Sequence, residues 1–463
     1  MPVWRVWREA PFRDHVQIRR LPRYRPRPYA WDMSLDKNVI PTISRALADG
    51  TLIELLFDPA NGTTTFAVAR PDGRVSIEPQ VELPNGERLV PYSASNNLIA
   101  NDCVLLPSDI GDFRDKGDAL SQVQAFIHRY VDLPETFEGI AAHYVLLSWV
   151  YDAFSDLPYL RFRGDFGTGK TRALLTIGSL CYKSFLASGA STVSPIFHIQ
   201  DAFQGTLVLD EADFRFSDAT TQLTKVLNNG TTRGMPVLRT MANRNRELNP
   251  QAFRVFGPKL IAMREQFSDL ALESRFLTVE TSGRTLRTDV PIHLPESFKR
   301  EALQLRNLLL AWRLRSRFSI GPDPSRAATG VAPRYRQTSL ALLSLVDDAD
   351  LRAQICRELA GEEARGLQER ADTLEAAMLT AVGETFATSP DPYALIKEIA
   401  VRFNALAAEE LGRPMSNKWI GGFIRRRLRL TTQKTGGVYV VPLSEKPKCD
   451  ALARRFGLSV SAG

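Results

Sequence analysis

The chain has 463 residues, 44% of them hydrophobic, enough to bury the cores of two or three domains. Its 59 Lys and Arg against 52 Asp and Glu leave a formal net charge of +7, which permits a polyanionic partner without demanding one. Scattered cysteines with no C-x-x-C pair and scattered histidines argue against a zinc or disulfide framework and suit a reducing, cytoplasmic setting. The start of the chain lacks the apolar core of a signal peptide, and the apolar run at 143–150 is too short to span a membrane.

Residues 1–30 hold eight Arg against Glu9 and Asp14, and Pro22, Pro26 and Pro28 oppose a helix, so a basic arm is expected. Residues 41–49 read as a short helix. Between 51 and 107, short alternating runs are broken by Asn61-Gly62, Asp72-Gly73 and Asn85-Gly86, the turn signals of a small β-rich domain set at 31–115. Two helices are expected at about 117–130 and 136–154, the second largely apolar.

An apolar strand at 159–162 runs into Gly164-Asp165-Phe166-Gly167-Thr168-Gly169-Lys170-Thr171, which has the form G-x-x-x-x-G-K-[ST]. The glycines Gly164, Gly167 and Gly169, with Thr168, let backbone N–H groups face phosphate oxygens at a helix N-terminus. Lys170 suits the β- and γ-phosphates of ATP, and Thr171 suits Mg²⁺. Some 40 residues on, the strand 206–209 ends in Asp210-Glu211: Asp210 is the expected second Mg²⁺ ligand, Glu211 the group that polarises the attacking water. Asp213 extends the run to Asp-Glu-Ala-Asp, but no second motor half follows, which opposes a DEAD-box helicase.

Strand candidates continue at 259–263, followed by Arg264, and at 276–280, preceded by Arg275. Arg275 is either a finger reaching a neighbouring subunit's γ-phosphate or the partner of Glu273 or Glu280. Arg334 and Arg336 open a helical stretch where a lid arginine could meet phosphate in cis, or they are solvated. Between strands, residues 237–256 read as a β-hairpin: Arg239 on one flank is assigned to DNA with the tip, where Arg244 and Arg246 either grip a phosphate backbone or sit on an ordinary exposed turn. Helices over 296–385 form a lid or linker. The last unit, 386–463, has two helices and a hairpin, with Ser416 as N-cap of the second helix. Lys418, Arg425, Arg426, Arg427 and Lys434 give it a basic surface, suited to DNA or merely solvated around a protein contact.

Taken together these motifs resemble AAA+ ATPases, specifically the minichromosome-maintenance and superfamily-3-like helicases of phages, plasmids and integrated mobile elements. The matching text is the segment 157–162 with its P-loop, 206–213 as Walker B, and Leu272-Glu273-Ser274-Arg275-Phe276 as a Ser-Arg-Phe finger. The resemblance covers residues 120–345 and implies an α/β fold: a P-loop core at 116–295 with a helical lid, a β-rich domain before it and a winged helix after it. It further implies ATP and Mg²⁺ at subunit interfaces of a hexameric ring that translocates on DNA, with primase or other replication proteins as partners. An initiator, loader or DNA-remodelling switch without processive unwinding, or a nucleotide-dependent scaffold, are the alternatives. One departure stands out: where such ATPases carry an Asn sensor, Met263 is followed by Arg264. Either Arg264 replaces it, or the strand register is shifted.

Overall fold

The computed structural model describes residues 38–459 except 189–190, 211–217, 243–247, 268, 283–286, 372 and 412. The basic arm, Glu211, Asp213, Arg244 and Arg246 therefore lie outside the described residues. The chain begins with β1 (Val39–Thr42), β2 (Ser44–Ala46), β3 (Leu52–Asp58), β4 (Thr63–Ala69), β5 (Val75–Glu78), β6 (Val81–Glu82) and β7 (Arg88–Pro91). These make an antiparallel sheet β2-β3-β4-β5 and a small sheet β1-β7-β6. Gly62, Gly73 and Gly86 turn three of the links at φ +62°, +84° and +82°, the left-handed conformation that the Asn-Gly and Asp-Gly pairs favour. The helix expected at 41–49 is absent; β1 and β2 stand there. Pro41 lacks an N–H and biases Ile40 toward extended backbone, so the segment pairs along β7 at a sheet edge.

Then follow α1 (Asn97–Ala100), α2 (Lys116–Tyr130), α3 (Glu135–Val150), β8 (Tyr159–Arg163), α4 (Lys170–Gly178), β9 (Phe185–Ala187), α5 (Val193–Phe203), β10 (Leu207–Leu209) and α6 (Asp218–Asn229). The hairpin β11 (Val237–Ala242) and β12 (Leu248–Phe253) leads into β13 (Lys259–Met263), α7 (Leu270–Glu273) and β14 (Phe276–Glu280). Five of these strands form a parallel sheet in the order β14-β8-β13-β10-β9. Alternation along each strand feeds two cores. Leu160, Phe162, Val208, Leu260 and Ala262 face a helical core, while Tyr159, Leu207, Leu209 and Ile261 face one shared with Ile53, Leu55, Phe66 and Val68 of the N-terminal sheet.

The remaining elements are α8 (Ser297–Ser316), α9 (Pro333–Leu343), α10 (Ala349–Ala371), α11 (Leu374–Thr388), β15 (Tyr393–Leu395), α12 (Ile396–Leu411), α13 (Asn417–Arg426), β16 (Gln433–Thr435), β17 (Val438–Pro442) and α14 (Lys446–Arg455). The expected lid splits in two. Helices α8 and α9 share the core of α2, α3 and α4, as does the buried side of α10, whereas α11 belongs to the C-terminal core. That third core joins α11–α14 to the sheet β15-β17-β16. The first strand of the C-terminal hairpin starts only at Gln433, because Arg429 takes φ +56° and breaks the extended run before it. No described helix is long and apolar enough to cross a membrane.

The N-terminal sheet is tied to the rest by a buried ionic cluster. Glu54 of β3 accepts from Tyr182 Oη (2.7 Å) and Arg313 Nε (2.8 Å), and Lys183 Nζ lies 3.2 Å away. Arg313 also forks onto Asp152 at 2.8 and 2.9 Å. Burial pushes the Lys183 ammonium down to about 8 although Glu54 pulls it the other way.

Candidate nucleotide site and nucleic-acid surfaces

The strand order sets the site. Because β13 lies between β8 and β10, the loop after β8 and the residue after β10 meet above its C-terminal end, where parallel sheets place ligands. There Thr171 Oγ1 donates to Asp210 Oδ2 at 2.8 Å, and Asp210 N is held by Ala187 O of β9 at 2.9 Å. Residues 166–172, Asp210 and 262–264 enclose a cleft of about 340 Å³, a volume within the range of small-molecule sites. Gly167 and Gly169 take φ +74° and +86°, turning the loop so that α4 begins at Lys170 with its N-terminal amides toward the cleft. Lys170 Nζ rests on the carbonyls of Gly164 (2.7 Å) and Asp165 (2.6 Å).

The loop is braced by residues that motif reading passed over. Thr281 and Ser282, just past β14, bond to Thr168 Oγ1 (2.8 Å) and to Asp165 N (3.0 Å). Arg172 anchors the following segment through the carbonyls of Pro291 and Ile292 at 3.1 and 2.6 Å. These hydroxyls and carbonyls carry no motif; only their position beside β8 reveals them. Phe166, 78% exposed, receives the Arg264 guanidinium 4.0 Å above its ring. The register places Met263 opposite Arg163, so Arg264 does follow the end of β13 and lines the cleft.

Arg275 is not paired with either acid weighed for it. Glu273 is taken by the buried Arg161 (2.7 Å) and Glu280 by Arg163 (2.8 Å). Arg275 instead donates to Asn228 through both the side-chain oxygen and the carbonyl, and burial lowers its pKa. Its own carbonyl accepts from Tyr159 N, at the opening of β8. With β14 parallel to β8, Arg275 lies about five residues, roughly 16 Å, from the P-loop end of the sheet. Of the two readings of Arg334 and Arg336, phosphate contact in cis or solvated charge, the structure shows their surroundings only. Arg334 donates to Ala271 O (3.1 Å) on the segment entering Arg275, Arg336 is exposed on α9, and neither lines the cleft.

The hairpin β11–β12 pairs Val237–Ala242 with Leu248–Phe253 in antiparallel register. Arg239, expected on nucleic acid, turns inward instead: its guanidinium lies 5.2 Å from the Phe197 ring and donates to Gln222 at 3.3 Å. In the C-terminal unit, Trp419, Ile420, Phe423 and Ile424 of α13 pack inward, leaving Lys418, Arg425, Arg426 and Arg427 exposed with Lys434 of β16. Arg427 leans away to Glu375 of α11 (3.2 Å), and Arg425 reaches Thr432 (2.9 Å).

No family model and no curated protein matches this chain. Among solved structures, the apo C-terminal region of NrS-1 matches with 14% identity and a TM-score of 0.36, over 84% of this chain and 95% of that one. An active helicase, Cch of SCCmec type IV, matches at 10% identity and TM-score 0.33, over 89% and 95%. The JCV helicase matches at 16% and 0.25, over 57% and 65%. These likenesses are faint, and the chemistry argued for this chain rests on its own residues.

Proposed function

We propose that this chain is an ATP-hydrolysing motor of the AAA+ type that moves on and unwinds DNA, working in the cytoplasm as part of a ring. The observation that carries the reading is the Thr171–Asp210 pair, closed across β13 at the mouth of a glycine-turned loop. Its hydroxyl and carboxylate are hard oxygen donors of the kind Mg²⁺ takes, one or two from protein and the rest from phosphate and water. Thr171 and Asp210 would hold that ion, which supplies charge neutralisation to the transferring phosphoryl group. Lys170 exchanges its two loop carbonyls for phosphate oxygens, the α4 amides cradle the chain of phosphates, and Arg264 adds a cation beside them. Glu211, adjacent to Asp210, orients the attacking water.

The distance of Arg275 from its own P-loop supports a role in trans, so that a complete site takes two subunits. The Arg244/Arg246 hairpin tip and the α13 surface would meet DNA. Unwinding of a forked DNA, measured with ATP and with a non-hydrolysable analogue, tests the reading. Strand release only with ATP is expected, and ATP-independent binding without release would instead favour a loader or switch. Glu211→Gln should keep nucleotide binding and lose turnover. Mixing Arg275→Ala with Lys170→Ala should restore part of the activity at mixed interfaces, and no recovery under subunit exchange would overturn the trans assignment.

A further inference from the structure

The wing of the C-terminal unit carries an aromatic ring that its core does not use. Tyr439 is 57% exposed, although Val440 and Val441 beside it are fully buried. The register pairs Tyr439 with Lys434 across β16–β17, which sets their Cβ atoms about 5 Å apart on one face. Along β17 that is the face of Val441, which packs into the helical core, so the ring leans to the side on which the helices lie. Thr432 stands two residues before Lys434, and Arg425, from the last turn of α13, donates to its hydroxyl at 2.9 Å. The ring thus stands directly opposite one cation, Lys434, with a second, Arg425, held two residues back along the same stretch of chain. Glu445 does not neutralise them, being held by Thr431 and lying 3.8 Å from Lys448.

A flat ring beside two cations suits a chain of bases and phosphates whose bases are unpaired. In a duplex the bases already stack on one another and offer the ring no free face, whereas in a single strand each base can stack on it. We propose that this face of the wing binds single-stranded nucleic acid, with a base stacked on Tyr439 and the flanking phosphates on Arg425 and Lys434. The inference rests on the DNA-working reading above and names which strand form the C-terminal unit takes.

The test measures fluorescence anisotropy of the full-length chain with a labelled oligo-dT, an abasic strand of the same length, and a blunt duplex. Tyr439→Ala should weaken oligo-dT binding about 5- to 150-fold, the loss expected from one stacked base. Binding of the abasic strand and the duplex should stay within twofold. Tyr439→Phe should retain oligo-dT affinity, because the ring and not the hydroxyl stacks. Lys434→Ala should weaken all three ligands and lower the salt slope on oligo-dT by about 0.7, one phosphate contact on a single strand. An unchanged oligo-dT affinity for Tyr439→Ala overturns the proposal, as does an equal loss on strand and duplex. Wild-type protein that binds neither strand nor duplex would sink the underlying DNA reading, a failure distinct from these.

Discussion

Gly164 is the position at which the P-loop depends most visibly on its neighbours. A Cβ added there would stand 2.3 Å from Thr281 Oγ1, 2.8 Å from Ser282 Oγ and 3.0 Å from Thr168 Oγ1. Thr281 cannot swing clear, because it is β-branched and its hydroxyl is engaged by both Arg163 O (3.0 Å) and Thr168 (2.8 Å). Gly164→Ala therefore pushes the loop off the end of β14 and breaks the Thr168–Thr281 and Asp165–Ser282 bonds. At about 0.5–1.5 kcal/mol each, that is a penalty of about 1–3 kcal/mol on the binding-competent loop. Converted at about 1.4 kcal/mol per tenfold, nucleotide affinity falls about 5- to 150-fold. Global stability should fall by no more than that same penalty of about 1–3 kcal/mol, since one bond is exposed and the other half-buried. Titration with a fluorescent ATP analogue and Mg²⁺, paired with urea unfolding, separates the two effects. Thr281→Val, which keeps the side-chain shape and removes the hydroxyl, should show part of the loss. Gly164→Ala with wild-type affinity would refute the idea that β14 sets the loop.

Two further outcomes follow from buried charge. Glu54→Ala leaves Tyr182 and Arg313 without the carboxylate that accepts from them and Lys183 without its ion-pair partner, and should cost about 3–5 kcal/mol in urea unfolding; a loss under about 1 kcal/mol would contradict the buried-cluster account. Lys259 is fully enclosed, donating to the carbonyls of Val255, Gly257 and Gly230, and burial pushes it down to about 7 from 10.5. Between those values the unfolded chain binds the extra proton, so this group makes stability rise with pH, by up to about 1.4 kcal/mol per unit. Lys259→Met should remove that share of the slope between pH 7.5 and 9.5, and an unaltered slope would refute it.

The segments legible in the sequence were those whose chemistry is local. Asn-Gly and Asp-Gly turns marked the N-terminal hairpins, and the glycine spacing marked the loop that turns at Gly167 and Gly169. What was not legible depended on neighbours distant in the chain. The short strand β9 and helix α5 have no periodic signature long enough to read, yet Ala187 of β9 holds Asp210 in place. Thr281 and Ser282 look like ordinary residues after a strand until the parallel register sets them against the P-loop. The hairpin pattern assigns Arg239 to DNA, whereas the ring beside its guanidinium, Phe197, lies on α5, some 40 residues earlier in the chain. The inside of the C-terminal core likewise extends back to α11, since Met378, Leu379 and Val382 pack with Ile399 and Ile420 across a segment that had read as linker.

Strand direction also constrains how the proposed site can be completed. Parallel β8 and β14 put the P-loop at one edge of the sheet and Arg275 at the other, and no side chain spans roughly 16 Å of strand. Arg275 is nevertheless held ready: Asn228 fixes it at the end of α6, and Asp269 in turn accepts from Asn228 Nδ2 at 2.6 Å. The same end of α6 leads through Gly230, whose carbonyl meets Lys259, to the hairpin that begins at Val237. In the proposed ring, a neighbouring subunit's phosphate drawing on Arg275 would therefore pull on the anchor of the hairpin, while the subunit's own phosphate would pull on Lys170 and Arg264. Cations on opposite edges, each answering to a different nucleotide, would give such a ring a physical means to relate hydrolysis in one subunit to hairpin position in the next.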